Sequence, residues 1–209
     1  FETIFEEDAL SPDFQANSTF ADSEVRYIHR KLATGEMYYV SNQKERVEEL
    51  ILNFRVTGFV PEAWDPVTGE KSELLMYHDD GSSTAVALRM APYDAQFIVF
   101  RKAVEAQDAV MELLKDGKHV RSLTQPAELV PELSPTLRAG ATGNAKLRVW
   151  ESGEYALTFQ DGVTKKVAVN DLPKPETLQG SWSVSFPKDR GAPEGTVMFD
   201  QLESWTQRP

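Results

Sequence analysis

The sequence predicts an all-β protein built of antiparallel β-sandwiches, jelly-roll-like, with little helix. Three observations carry this. Apolar and polar positions alternate in short runs, as where Leu50, Leu52, Phe54 and Val56 interleave with Ile51, Asn53 and Arg55, the period of a strand with one buried face. Asp-Gly pairs at Asp80-Gly81 and Asp161-Gly162 fall between such runs, where a hairpin must turn. Turn signals recur roughly every 8–12 residues, the spacing of sandwiches and small barrels.

Taken in order, residues 1–22 read as a lead-in. FEEDAL suits a short helix stopped by Pro12, and QANSTFADS reads as a polar linker. EVRYIHRKL and MYYVSNQ are strand-like runs joined by ATGE. VTGFVPEAWDPVTGE is rich in Gly and Pro and is expected to loop. ELLMYH and TAVALRM form a hairpin about DDGSS, and QFIVFR closes a first β-sandwich over 23–103. A second small β region follows over 104–175. There Tyr155, Leu157 and Phe159 alternate with Ala156 and Thr158, and Asp161-Gly162 turns the chain toward Val167 and Val169. Residues 176–209 begin a further sandwich with short strands around a polar loop.

Two segments pull against this assignment. KERVEELILNF and EAQDAVMELLKDG are rich in helix formers, and Gly117 stands where a helix would be capped. The first runs into a firm alternation, and the second ends on an Asp-Gly pair that equally suits a hairpin. Both are assigned to strand.

Composition narrows the function. The 209 residues carry a net charge of -11 and no cysteine. Lys and Arg are scattered among more numerous acids, which argues against nucleic acid and anionic membranes as partners. Cysteine chemistry and Cys-ligated zinc are excluded. No apolar run reaches the ~20 residues that span a bilayer. FETIFEEDAL lacks the basic start and apolar core of a signal peptide, and a signal removed earlier or lying upstream is compatible with it.

The search for chemistry nominates no catalytic residue and no metal ligand. His29, His78 and His119 lie far apart in sequence, and DDGSS beside His78 is what a tight turn requires. There is no GxSxG elbow and no phosphate-cradling glycine loop. A glycosidase needs two carboxyl groups about 5–10 Å apart. With Asp and Glu numbering 33, abundance selects no pair.

Five residues remain as candidates for carbohydrate binding or a domain interface. Trp64 and Asp65 lie in PEAWDPVTGE beside Glu62, where an indole can stack on a sugar and acids can grip hydroxyls; alternatively the indole packs and Asp65 shapes a turn. Trp150, like Trp182, reads as an inward-facing residue, with a sugar platform as the other reading. His29 shares a strand face with Val25 and Tyr27, while Arg30 shares the opposite face with Arg26 and Ile28. That histidine is either a hydrogen-bonded structural residue or a contact to a neighbouring domain or ligand.

RYIHRK, MYYVSNQ, FRVTGFVPEAWDPVTGE, the DDGSST hairpin and FIVFRK, in that order, resemble the region after the catalytic barrel in glycoside hydrolase family 106, the α-L-rhamnosidase-type enzymes. LQGSWSVSF and GAPEGTVMFDQLESWT are similar to the start of the sugar-binding-type sandwich that follows there. The resemblance implies removal of terminal α-L-rhamnose from plant or microbial glycans by two glutamates on a covalently linked barrel preceding residue 1. It implies a calcium only in that catalytic domain and no cofactor in this chain. It also implies a bacterial periplasmic or extracellular location, and a chain whose last sandwich is cut short at SWTQRP. No catalytic motif of the family falls on a residue here. The expected role is a non-catalytic support for the barrel; the alternatives are a module holding rhamnose-containing oligosaccharide, or a protein-interaction domain.

Overall fold

The computed structural model describes residues 12–103, 109–125, 127, 134–139, 145–174, 176–191, 194–201 and 203–204. Among them there are seventeen strands and no helix, and all pairings are antiparallel. The chain divides into two compact units, Phe1–Leu172 and Pro173–Pro209. The helix expected at FEEDAL lies outside the described residues.

In the first unit, a four-stranded sheet is ordered β1 (Phe14–Ser18), β4 (Glu48–Phe54), β8 (Thr84–Met90), β7 (Tyr77–Asp79). A five-stranded sheet is ordered β2 (Val25–Leu32), β3 (Gly35–Asn42), β9 (Ala95–Ala103), β5 (Phe59–Trp64), β6 (Lys71–Glu73). Their inner faces share one core. Leu50, Leu52 and Phe54 of β4 and Val86, Leu88 and Met90 of β8 meet Tyr38 and Val40 of β3 and Ile98 and Phe100 of β9. The rings of Phe54 and Phe100, 5.2 Å apart, are both fully buried. Each such side chain contributes about 2–3 kcal/mol on burial, and this explains why KERVEELILNF is a strand. Only a two-residue period sends Leu50, Leu52 and Phe54 to the same side, against helix propensity.

Two expectations are corrected here. QANSTFADS is not wholly a linker: Phe14–Ser18 pairs with Leu50–Phe54 along the edge of the four-stranded sheet. PEAWDPVTGE is not one long loop: Phe59–Trp64 is a central strand, and the chain turns back over Asp65–Gly69 into β6. Pro61 is tolerated because the β5–β9 ladder has a bulge between Val60 and Pro61, a place where a missing N–H is harmless.

The second β region belongs to the same compact unit. Its sheet is ordered β11 (Lys118–Ser122), β10 (Val110–Lys115), β14 (Gly153–Phe159), β15 (Thr164–Val169), accompanied by the hairpin β12 (Thr136–Ala139) and β13 (Ala145–Arg148). Asp116 and Gly117 are the two residues between β10 and β11, with φ of 51° and 79°. That is the twist of a type I′ turn, and it decides strand over helix at 110–117; residues 105–108 lie outside the described set. Val110, Leu113, Tyr155 and Phe159 form a second core that also takes in Met76 and Ala87. The outer face of the four-stranded sheet is therefore covered.

In the second unit, β16 (Trp182–Ser185) pairs with β17 (Thr196–Phe199). Trp182, expected to face inward, is half-buried.

Candidate functional site

Alternation on the five-stranded sheet sorts the candidate residues by face. Core residues Tyr38, Ile98 and Phe100 define the inner face, so their strand neighbours lie on the outer one. The registers join Ile28, Tyr39, Phe97, Trp64 and Lys71 into one rung across all five strands. The adjacent outer rung joins Arg30, Met37, Val99, Glu62 and Glu73. Arg30 and Trp64, distant in sequence, thus belong to the same surface.

The centre of this face is apolar and aromatic. Tyr39 and Phe97 have ring centroids 5.0 Å apart, Val99 is fully buried and Ile28 is 59% exposed. Trp64 donates its indole N–H to Glu62 at 2.8 Å, and Arg101 donates Nε to the same carboxylate oxygen at 3.1 Å. Glu62, only 7% exposed, is compensated by these two donors. The Lys71 ammonium lies 3.9 Å from the Trp64 ring centroid and the Arg101 guanidinium 5.0 Å from it. Attraction of these cations to the ring competes with sugar stacking on the indole.

Asp65 is part of the turn. Its Oδ1 accepts from the Val67 and Thr68 N–H groups at 2.7 and 3.1 Å, and these bonds, that from Thr68 foremost, hold its carboxyl below the usual carboxylate range. Asp80 does the same in the other hairpin: the hydroxyl and N–H of Ser82 and the N–H of Ser83 bring it down to about 2. The DDGSS stretch is an Asx-type turn.

His29 faces inward, away from Arg30. Nδ1 lies 3.1 Å from both carboxylate oxygens of Asp13, Nε2 lies 2.9 Å from Glu36, and the ring stacks on Tyr38 with centroids 4.0 Å apart. Burial, followed by the Asp13 charge, pushes the Tyr38 phenol upward. Two carboxylates on opposite nitrogens of one imidazole tie β1's approach, β2 and β3 together. They do not converge on one point, and the described residues contain no group of three His, Asp or Glu side chains placed to hold a metal.

Trp150, expected inward, is 45% exposed in the bend between β13 and β14. It stands on a different part of the unit from the Arg30–Trp64 face. Sequence reasoning did not select Ile28, Tyr39, Phe97, Lys71 or Arg101. Their signal was present in the alternation of QFIVFR, where Phe97, Val99 and Arg101 share a face, but the loop reading of PEAWDPVTGE concealed the partner strand.

The comparisons with known proteins agree on one enzyme class. Residues 1–79 match the family model described as alpha-L-rhamnosidase. A putative beta-glucuronidase of Formosa agariphila is 31% identical over 115 residues, 54% of this chain and 10% of that protein. The solved structure of a rhamnosidase from Novosphingobium sp. PP1Y superimposes with a TM-score of 0.56 at 26% identity, covering 99% of this chain and 14% of that one. The chain therefore spans a small fraction of the length of each relative. It is a glycoside hydrolase-related segment, similar to an alpha-L-rhamnosidase in sequence over residues 1–79 and in fold over nearly all its length.

Proposed function

We propose that this chain is a non-catalytic β-sandwich segment of an α-L-rhamnosidase-like enzyme, and that it supports a covalently linked catalytic barrel through the outer face of its five-stranded sheet. The rung of Ile28, Tyr39, Phe97 and Trp64 carries the reading. A sheet face left to water is normally polar, and this one is apolar at its centre with Arg30, Lys71 and Arg101 around it. Such a face suits a protein surface that brings apolar contact and acidic groups. The relatives support the parentage, since the chain matches only 14% of the rhamnosidase. In this reading the glycan, of plant or microbial origin, and a calcium ion belong to the catalytic domain, and the protein works in the periplasm or outside the cell.

The test is an assay on aryl α-L-rhamnosides of this chain alone beside the polypeptide that contains it. The expected result is turnover by the longer polypeptide only. Robust turnover by the chain alone overturns the proposal. A second reading, a module that holds rhamnose-containing oligosaccharide, draws on the 45% exposure of Trp150. Saturable calorimetric binding of such an oligosaccharide, abolished by Trp150→Ala, would establish it.

A further inference from the structure

Glu49, 9% exposed, stands on the outer face of β4 opposite Arg89 of β8. Arg89 donates Nη1 to it at 3.2 Å, and Arg121 of β11 donates Nε at 3.0 Å from the other β region. Arg121 also reaches Ser134 through Nη2 at 3.3 Å. One carboxylate thus serves two guanidiniums whose side chains are only 18% and 14% exposed. Each guanidinium is a fan of N–H donors with no acceptor. Among the described residues, Nε and Nη2 of Arg89 and Nη1 of Arg121 have no hydrogen-bond partner.

Both arginines wall a cleft of about 270 Å³ with Asp65, Ser72, Gln96 and Ser134. The acids around it are committed: Asp65 to its own turn and Glu70 to Arg138 at the rim. The cleft therefore has guanidinium donors in excess that reach the solvent in it, beside hydroxyl and amide groups that both give and accept. We propose that it binds a hydroxylated carboxylate of the hexuronate type, the carboxylate seated on Arg89 and Arg121 and the ring hydroxyls on Ser72, Gln96 and Ser134. The acceptor-only carboxylate is the group that complements a bare guanidinium edge. The volume suits one sugar ring, being near the lower bound of about 300 Å³ for ligand pockets. This site is separate from the docking face, and its existence does not depend on the supporting role proposed above.

Titration calorimetry of the chain with sodium D-galacturonate, D-galactose and sodium acetate tests the proposal, since galactose keeps the ring and lacks the carboxylate, and acetate does the reverse. The expected result is saturable galacturonate binding, at least about tenfold tighter than either control, and lost in Arg89→Gln, which leaves Glu49 its bond from Arg121. If that variant unfolds, Gln96→Ala is expected to weaken binding with an unchanged unfolding midpoint. Binding of galactose or acetate as tight as that of galacturonate overturns the proposal. So does the absence of binding at millimolar galacturonate, or binding by Arg89→Gln equal to that of the parent chain.

Discussion

The two outer faces of the first sandwich make opposite uses of similar surface. The outer face of the four-stranded sheet is small and covered: Ala85 and Ala87 pack against the second core, and Glu49 is closed over by Arg89 and Arg121. The outer face of the five-stranded sheet is large-residued: Val99 and Glu62 at its centre are buried among their neighbours, Tyr39, Phe97 and Trp64 are half-buried, and Ile28 on the edge strand is exposed. Close approach of a second layer requires small side chains, which explains the alanines. An aromatic rung leaves room only for a looser, broader contact. The contrast teaches that this sandwich buries one outer face under a second layer of its own, whereas the other keeps an aromatic rung that ends in an exposed isoleucine.

That contrast can be broken at several points. Ala87→Asp places a charge without a partner under the second core, and a loss of about 3 kcal/mol or more is expected in urea unfolding. A loss below about 1 kcal/mol would mean that the two β regions are not packed as described. Gly35→Ala comes next. A Cβ at this φ of 154° would run into the Phe100 carbonyl oxygen, so the β2–β3 hairpin must shift away from β9, at a cost of about 1–3 kcal/mol. The same denaturation experiment checks it, and an unchanged midpoint would contradict the close approach of those strands.

Ile28→Asp, at an exposed position of the edge strand β2, should change the stability of this chain by no more than about 0.5 kcal/mol. A loss as large as that of Ala87→Asp would show that position to be already packed. The smallest effect is a pH dependence at the hairpin tip. Asp80 is held at about 2, against an ordinary 3.8, by its bonds from Ser82 and Ser83. A depressed carboxyl contributes stability that is present above the unfolded value, near 3.8, and is lost as pH falls through about 2. The midpoint difference between the parent chain and Asp80→Asn should therefore be constant at neutral pH and disappear across that window. A difference unchanged at pH 2 would assign the effect to something other than the charge.

Much of the fold was legible because hairpins announce themselves locally. EVRYIHRKL and MYYVSNQ are β2 and β3, and DDGSS turns β7 into β8. The strand Phe59–Trp64 was not legible, since Pro61 reads as a breaker until the bulge opposite β9 is known. Trp150 misled for a related reason: an indole carries no mark of which way its bend turns it, and this one is exposed. Of the candidate residues, Arg30 and Trp64 share a surface, Asp65 holds a turn beside the cleft, and His29 bridges Asp13 and Glu36 on the inner side.

By itself, the amino-acid sequence determined the all-β class, the hairpins and the faces on which neighbouring residues of one strand must lie. These follow from turn chemistry and a two-residue period, which act within a few residues. Only the tertiary structure decided that Trp64 stands beside Phe97 and Lys71, that Arg121 crosses to Glu49, and that the outer face of the four-stranded sheet is covered by the second core. Register between distant strands is set by the burial of whole faces at once, so no local stretch of sequence carries it.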